Sequence, residues 1–257
     1  NTAINQRVDR GALIVNYTGH GGETGWSQER ILEVKDIESW NNANRLPLFV
    51  TATCEFSRFD DPARTSAGEE VILRPNGGGI GLLTTTRLAY ANFNETLNRN
   101  FYQNVFVRDS ITKLYPRVGD VCTVTKNKTA SVSSGTSNHR NFSLLCDPAV
   151  RLNFPDYKAY TQTINNQPVT LLGDTMNSLS KITITGYIAN LSGTKLTSYN
   201  GIIFPTVFDK ETKLKTLAND PQLSSTQNFK MRKSIIYRGK ASVINGEFSF
   251  SFVVPKD

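Results

Sequence analysis

The chain has 257 residues, 38% of them apolar and 20% charged, a balance that excludes a disordered tail. Lysine and arginine number 29 against 22 aspartates and glutamates, a formal charge of +7. That surplus suits an anionic partner, but no basic run and no nucleic-acid motif occurs, so a nucleic-acid partner is not expected.

The chain opens with NTAINQRVDRG, a polar helical stretch ending at Gly11. No basic segment leads into an apolar core there, as it does in a signal peptide. A chain that opens in mid-helix is expected to be a piece of a longer protein. Short apolar runs follow at Ala12 to Val15, Leu48 to Ala52 and Ile80 to Leu83, the last after Gly77-Gly78-Gly79. Between the first two, Ile31, Leu32, Val34 and Ile37 suggest a helix face within Gln28 to Asn44. After the third, Leu97, Phe101 and Val105 recur every four residues and predict a helix over Asn94 to Val107. Apolar runs separated by helices indicate a parallel sheet with crossovers. Thr123 to Asn141, rich in Ser, Thr, Asn and Lys, reads as an exposed loop, and Phe142 to Phe154 as an apolar segment before Pro155.

Beyond residue 160 the pattern changes to strands without long helices, at Val169 to Leu172, Lys181 to Leu191, Gly201 to Asp209, Ser234 to Lys240 and Gly246 to Val254. Phe248, Phe250 and Phe252 alternate with Ser249, Ser251 and Val253. This spacing predicts a β-sandwich over residues 160–257, joined by a linker from Pro155 to Gln167.

Chemistry-bearing residues cluster in the first half. In IVNYTGHGGET a buried strand runs into His20, flanked by glycines that let the backbone approach a substrate. In LFVTATCE another strand ends at Cys54. Carboxyl ends of parallel strands line the usual ligand crevice. Neighbouring parallel strands would set His20 and Cys54 at one edge, as a thiol–imidazole pair requires. Taken alone, a histidine after a strand is more often structural, and Cys54 is equally readable as a small apolar core residue. Three cysteines are too few for a disulfide scaffold, and of the two histidines His139 lies in the polar loop and reads as solvated.

NYTGHGGETGW, from Asn16 to Trp26, resembles the histidine motif of the gingipain family of cysteine peptidases. Cys54, in TATCEFSRFDDP, stands at that family's nucleophile position. GGGIGLLTTTR resembles the strand that follows, and NFSLLCDPAVRLNFP the closing segment. Within the family, TCEFSRFDDP, TTTR and the closing segment are most similar to the branch of cell-surface sortases of the type IX secretion system. Cys146 departs from the pattern, which has glycine there. A Cys122–Cys146 disulfide and two free buried thiols are both open readings.

The resemblance implies a caspase-like α/β domain over residues 1–155, its sheet truncated at the start, followed by an immunoglobulin-like sandwich over residues 160–257. It implies a Cys–His dyad of Cys54 as nucleophile and His20 as base, with the Gly21 and Cys54 N–H groups as the oxyanion hole. Glu23 is a candidate to orient His20 or bind a substrate amine. Trp26 and Tyr90 are candidate pocket walls, and Glu55, Asp60 and Asp61 follow the nucleophile closely enough to shape the site. No metal and no cofactor is expected. The implied activity removes the carboxyl-terminal signal domain of secreted cargo and transfers the new terminus to an amine of anionic lipopolysaccharide. The implied setting is the cell surface, beside PorV, an outer-membrane barrel protein. A gingipain-like endopeptidase selective for basic residues and a non-catalytic surface scaffold are the alternatives. An incomplete sheet would leave this chain without activity until the missing half is supplied.

Overall fold

A computed structural model describes residues 2–132, 137–169, 175–219 and 224–256. The chain divides into two compact units, residues 1–154 and 155–257. The first runs α1 (Thr2–Arg10), β1 (Ile14–Thr18), β2 (Gly21–Gly22), β3 (Gly25–Trp26), β4 (Leu32–Glu33), α2 (Val34–Ser39), β5 (Leu48–Ala52), α3 (Ala67–Leu73), β6 (Gly81–Thr85), α4 (Ala91–Val105), α5 (Val118–Val132), a 3-10 turn (Asn138–Asn141) and β7 (Phe142–Leu145). Its main sheet has the order β1-β5-β6-β7. The first three strands are parallel, as the apolar runs predict, and β7 closes the sheet antiparallel to β6.

Alternation along these strands divides the core between two faces. Leu48, Val50 and Ala52 of β5 join Leu83, Phe142 and the α4 residues Leu97, Phe101 and Val105 on one face. Phe49 and Leu82 turn to the other, among Trp26, Ile37, Trp40, Phe56 and Val71. Both faces of β5 and β6 are therefore covered, which explains their unbroken apolar reading.

Two elements differ from the sequence pattern. Only Val34–Ser39 of the stretch from Gln28 to Asn44 is helical, because Leu32 and Glu33 pair with β3 and Arg30 adopts a positive φ of 53°. Asp36 Oδ2 then accepts the Glu33 N–H at 2.9 Å and starts the helix late. The loop expected over Thr123 to Asn141 contains most of α5, whose buried stripe is Val118, Val121, Cys122, Thr125 and Thr129. Two members of that stripe are threonines, and Thr129 Oγ1 satisfies itself on the Thr125 carbonyl at 2.8 Å. Part of that expected loop, residues 133–136, lies outside the described residues.

The second unit is built of β8 (Tyr157–Ile164), β9 (Gln167–Pro168), β10 (Lys181–Asn190), β11 (Gly201–Ile203), β12 (Thr206–Phe208), β13 (Thr212–Lys215), β14 (Asn228–Met231), β15 (Ile235–Arg238), β16 (Ala241–Ile244) and β17 (Glu247–Val253). Six strands form an antiparallel sheet of order β11-β16-β17-β10-β8-β9. Ile182, Ile184 and Ile188 of β10 are buried on one face, as are Phe248 and Phe252 of β17. The segment read as a linker carries β8, a mostly polar strand paired along β10. Gly186 permits that pairing, since a Cβ there would lie 2.2 Å from the Tyr160 carbonyl oxygen and 2.3 Å from Phe248 Cζ. Of the strand expected from Val169 to Leu172, residues 170–172 lie outside the described residues.

All three cysteines are free, and Cys146 packs against the cluster that holds Cys122. Burial, then the nearby Asp147 and Cys122, push the Cys146 thiol up from 9.0 to about 11. The unfolded chain therefore ionises first as pH rises, so this contribution to stability is intact below pH 9 and lost between pH 9 and 11. Urea unfolding at pH 8 and pH 10 is expected to show a smaller loss of stability in Cys146→Ala than in the wild type. Phe49 is fully buried beneath Trp40, with ring centroids 5.6 Å apart. Phe49→Ala is expected to cost about 3–5 kcal/mol in denaturant unfolding.

Candidate active site

Parallel pairing of β1 with β5 runs from Ile14 opposite Leu48 to Thr18 opposite Ala52. His20 and Cys54 each lie two residues past that last pair, at the same edge of the sheet. The Gly19 N–H donates to the Ala52 carbonyl at 3.3 Å and continues the contact into the loops.

The histidine loop is held from below. Tyr17 stacks on Trp26 with ring centroids 4.5 Å apart, and its hydroxyl donates to the His20 carbonyl at 2.6 Å. That carbonyl also accepts the Ser27 N–H at 2.7 Å. Gly21 then crosses Thr53: a Cβ there would stand 2.5 Å from Thr53 Oγ1 and 2.9 Å from the Gly25 carbonyl oxygen. Burial raises the Tyr17 hydroxyl above its ordinary value, helped by the charge of Glu29.

The loop that carries Cys54 is tied to β6 and the segment after it. Thr85 Oγ1 donates to the Thr53 carbonyl, the Glu55 N–H to the Arg87 carbonyl at 3.3 Å, and the Ser57 N–H to the Thr85 carbonyl at 3.0 Å. Glu55 itself has a positive φ of 48°, where the chain turns away from Cys54. Sγ of Cys54 contacts both polar atoms of one residue, accepting from the Ala89 N–H at 3.4 Å and donating to its carbonyl at 3.5 Å. Among the described residues no hydrogen bond joins the His20 ring to Cys54.

A cavity of about 570 Å³ opens on the histidine side, lined by His20, Gly21, Gly22, Thr24, Arg30 and Glu33 among others. Its charges are mixed in sign.

Trp26, Glu23 and His139 are placed differently from expectation. Trp26 is 2% exposed and packed among Phe49, Phe56 and Tyr17, so it is core rather than a pocket wall. The Glu23 carboxylate is taken by two arginines, accepting from Arg58 Nη1 at 3.0 Å and lying 3.2 Å from Arg64 Nε. That pairing raises Arg58 above its ordinary value and occupies the charge expected for His20 or a substrate amine. Glu55 approaches Arg58 at 4.0 Å. Tyr90, 66% exposed, follows Ala89, whose backbone contacts the thiol. Asp60 pairs with Arg87, whose hydrogen bonds hold its carboxyl below the usual range. His139 is half-buried rather than solvated; burial, then Arg140 and Lys126, lower its pKa, and its Nδ1 is buried with no hydrogen-bond partner among the described residues.

Sequence reasoning missed Glu29. Its pKa is lowered first by the Ser27 hydroxyl and then by its own backbone N–H, with a smaller contribution from His20. Nothing in its exposed setting signals this; Glu29 follows the turn at Ser27, where φ is 64°, and pairs with the Ser27 hydroxyl. Tyr17, Ala89 and the asparagines around the 3-10 turn were missed as well, because they act through backbone groups that no motif displays.

The family model for peptidase family C25 matches residues 1–153. The chain belongs to peptidase family C25. Two solved structures share the fold of this C25 member across all of its length. The complex of Porphyromonas gingivalis RgpB pro- and mature domains superposes with a TM-score of 0.54 at 14% identity, over 50% of that chain. The Arg-specific cysteine proteinase gingipain R (RgpB) does so with a TM-score of 0.52 at 15% identity, over 49% of that chain. Dimeric latent PorU from Porphyromonas gingivalis matches 71% of this chain and 17% of its own at 27% identity, with a TM-score of 0.37. The chain thus spans about half the length of the first two structures. Among curated proteins, none matches it. In this member of peptidase family C25, Cys54 is the cysteine at the carboxyl edge of the parallel strands.

Gly21→Ala is expected to force the histidine loop off Thr53 and to destabilise the first unit by about 1–3 kcal/mol. Thermal unfolding followed by circular dichroism checks this, and an unchanged midpoint would show that the loop yields freely.

Proposed function

We propose that this chain carries the catalytic dyad of a cell-surface peptidase and sortase of type IX secretion, with Cys54 as nucleophile and His20 as its acid–base partner. The observation that carries the reading is the β1–β5 register, which sets both residues two positions past the same strand pair in a C25 peptidase. Cys54 thiolate attacks the scissile carbonyl, and the Gly21 and Cys54 N–H groups receive the developing oxyanion. One such donor is worth about 3 kcal/mol of transition-state stabilisation. His20 protonates the leaving amine as the C–N bond breaks, leaving a thioester on Cys54. Water attacking the thioester gives hydrolysis; an amine gives a new amide.

Support for the sortase branch comes from the sequence: TCEFSRFDDP around the nucleophile, TTTR after β6, and NFSLLCDPAVRL at β7 resemble PorU. The substrate is then secreted cargo with a carboxyl-terminal signal domain, and the acceptor an amine of anionic lipopolysaccharide. The formal charge of +7 suits such an acceptor. PorV is the partner that would hold the enzyme at the outer membrane. The antiparallel second unit is read as an immunoglobulin-like sandwich. A pocket for basic residues would need an unpaired acidic group, and Glu23 is held by Arg58 and Arg64.

The test uses the complete protein, offered cargo with an intact signal domain, an amine acceptor and, separately, short basic peptides. The expected products are the released domain and the cargo–amine conjugate, both abolished by Cys54→Ala. His20→Ala is expected to lower kcat/KM about 10²- to 10⁴-fold. Cleavage of the basic peptides alone would make the protein an ordinary endopeptidase, and no product that depends on Cys54 would leave a surface scaffold.

A further inference from the structure

The segment Leu88-Ala89-Tyr90 presents two consecutive peptide groups to Cys54, and each is held from behind by an asparagine of the 3-10 turn. In a trans peptide the N–H and C=O point in opposite directions, so fixing one aims the other. The Leu88 carbonyl accepts from Asn141 Nδ2 at 2.8 Å, and the N–H of the same peptide, that of Ala89, points at Sγ from 3.4 Å. The Tyr90 N–H donates to Asn138 Oδ1 at 2.8 Å, and the carbonyl of that peptide, that of Ala89, faces Sγ at 3.5 Å.

Both asparagines are themselves anchored. Asn138 is 3% exposed, and its Nδ2 donates to Asn94 Oδ1 at 3.2 Å. Asn94, also buried, donates to the Ala52 carbonyl at 3.4 Å, at the end of the nucleophile's own strand. The backbone carbonyl of Asn141 accepts the Thr86 N–H at 2.9 Å. The route from Ala52 through Asn94, Asn138 and Tyr90 therefore starts and ends at the nucleophile strand and the thiol.

The two groups aimed at sulfur favour opposite protonation states. The N–H stabilises a thiolate and the carbonyl stabilises a thiol. A hydrogen bond to an ionised sulfur is stronger than one from a neutral S–H, which is a weak donor. We propose that Asn138 and Asn141 are positioning residues that set the ionisation of Cys54, Asn141 by aiming the Ala89 N–H and Asn138 by aiming the Ala89 carbonyl. The inference rests on Cys54 as the nucleophile, and it predicts effects of opposite sign from two neighbouring side chains.

The charged and titratable groups around this edge are His20 and Glu23 after β1, Glu55, Arg58, Asp60, Asp61 and Arg64 after β5, and Arg87 and Tyr90 after β6. Lys126, His139 and Arg140 lie beside the 3-10 turn. All are retained in the variants, so a change reports the peptide groups.

The measurement is the pH dependence of Cys54 alkylation by iodoacetamide in the complete protein, resolved from Cys122 and Cys146 by peptide mass. Asn141→Ala is expected to raise the apparent pKa of Cys54 and slow its alkylation at pH 7 about three- to tenfold. Asn138→Ala is expected to lower that pKa and speed alkylation by a smaller factor, and Asn94→Ala to act in the same direction. Asn92→Ala, on the exposed side of α4, is the control expected to match the wild type. Where an alanine variant loses the wild-type melting profile, the serine variant at that position, too short to reach the peptide, takes its place. Shifts of the same sign at 138 and 141, or unchanged profiles in folded variants, would overturn the proposal. The assay needs no peptide substrate, so its result is separate from whether cargo is cleaved.

Discussion

The pairing of β1 with β5 is the contact on which the site depends. Its register ends at Thr18 and Ala52, and His20 and Cys54 are both placed by counting two positions from there. A slip of one residue would turn the inward side chains of β1 outward and part His20 from Cys54 in the same step. Burial on both faces of β5 prevents that slip: Phe49 is locked among Trp26 and Trp40, while Val50 and Ala52 pack towards α4. Trp26, a candidate pocket wall in the sequence, serves the site from the core, as the surface on which Tyr17 lies before reaching the His20 carbonyl.

Polar groups inside this apolar frame do the remaining positioning. Thr51 donates to Thr84 at 2.6 Å between adjacent strands, and Thr85 bonds the Thr53 carbonyl one step nearer Cys54. Asn94 and Asn138 extend the series into the helix and the 3-10 turn. A buried amide with a missing partner costs about 1–3 kcal/mol, so each group admits few arrangements. The apolar core thus gives the site its location, and the buried amides and hydroxyls give it direction.

Local chemistry made much of this readable from the chain alone. The three parallel strands were visible because burial on both faces makes them continuous apolar runs, and α4 because Leu97, Phe101 and Val105 keep a strict spacing. His20 and Cys54 were visible because each follows a strand and stands in a recognisable motif. α5 was hidden, since its buried stripe contains Thr125 and Thr129, whose hydroxyls look solvent-facing in sequence. β8 was hidden by an exposed, polar composition; it is a strand because β10 offers a partner. The fate of Glu23 was equally illegible, because Arg58 and Arg64 lie far along the chain and reach it through tertiary contact.

One close approach has a consequence for how sequences of this fold can vary. A Cβ built on Gly81 would stand 2.5 Å from Cys146 Cβ, across the antiparallel pair of β6 and β7. The space there admits one side chain, and here it is the cysteine's. A relative with glycine at the position of Cys146 is free to carry a side chain at the position of Gly81, but a chain with side chains at both must spread the strands. The two positions therefore behave as a single slot shared between neighbouring strands. A side chain gained at one of them is accommodated where the other gives one up.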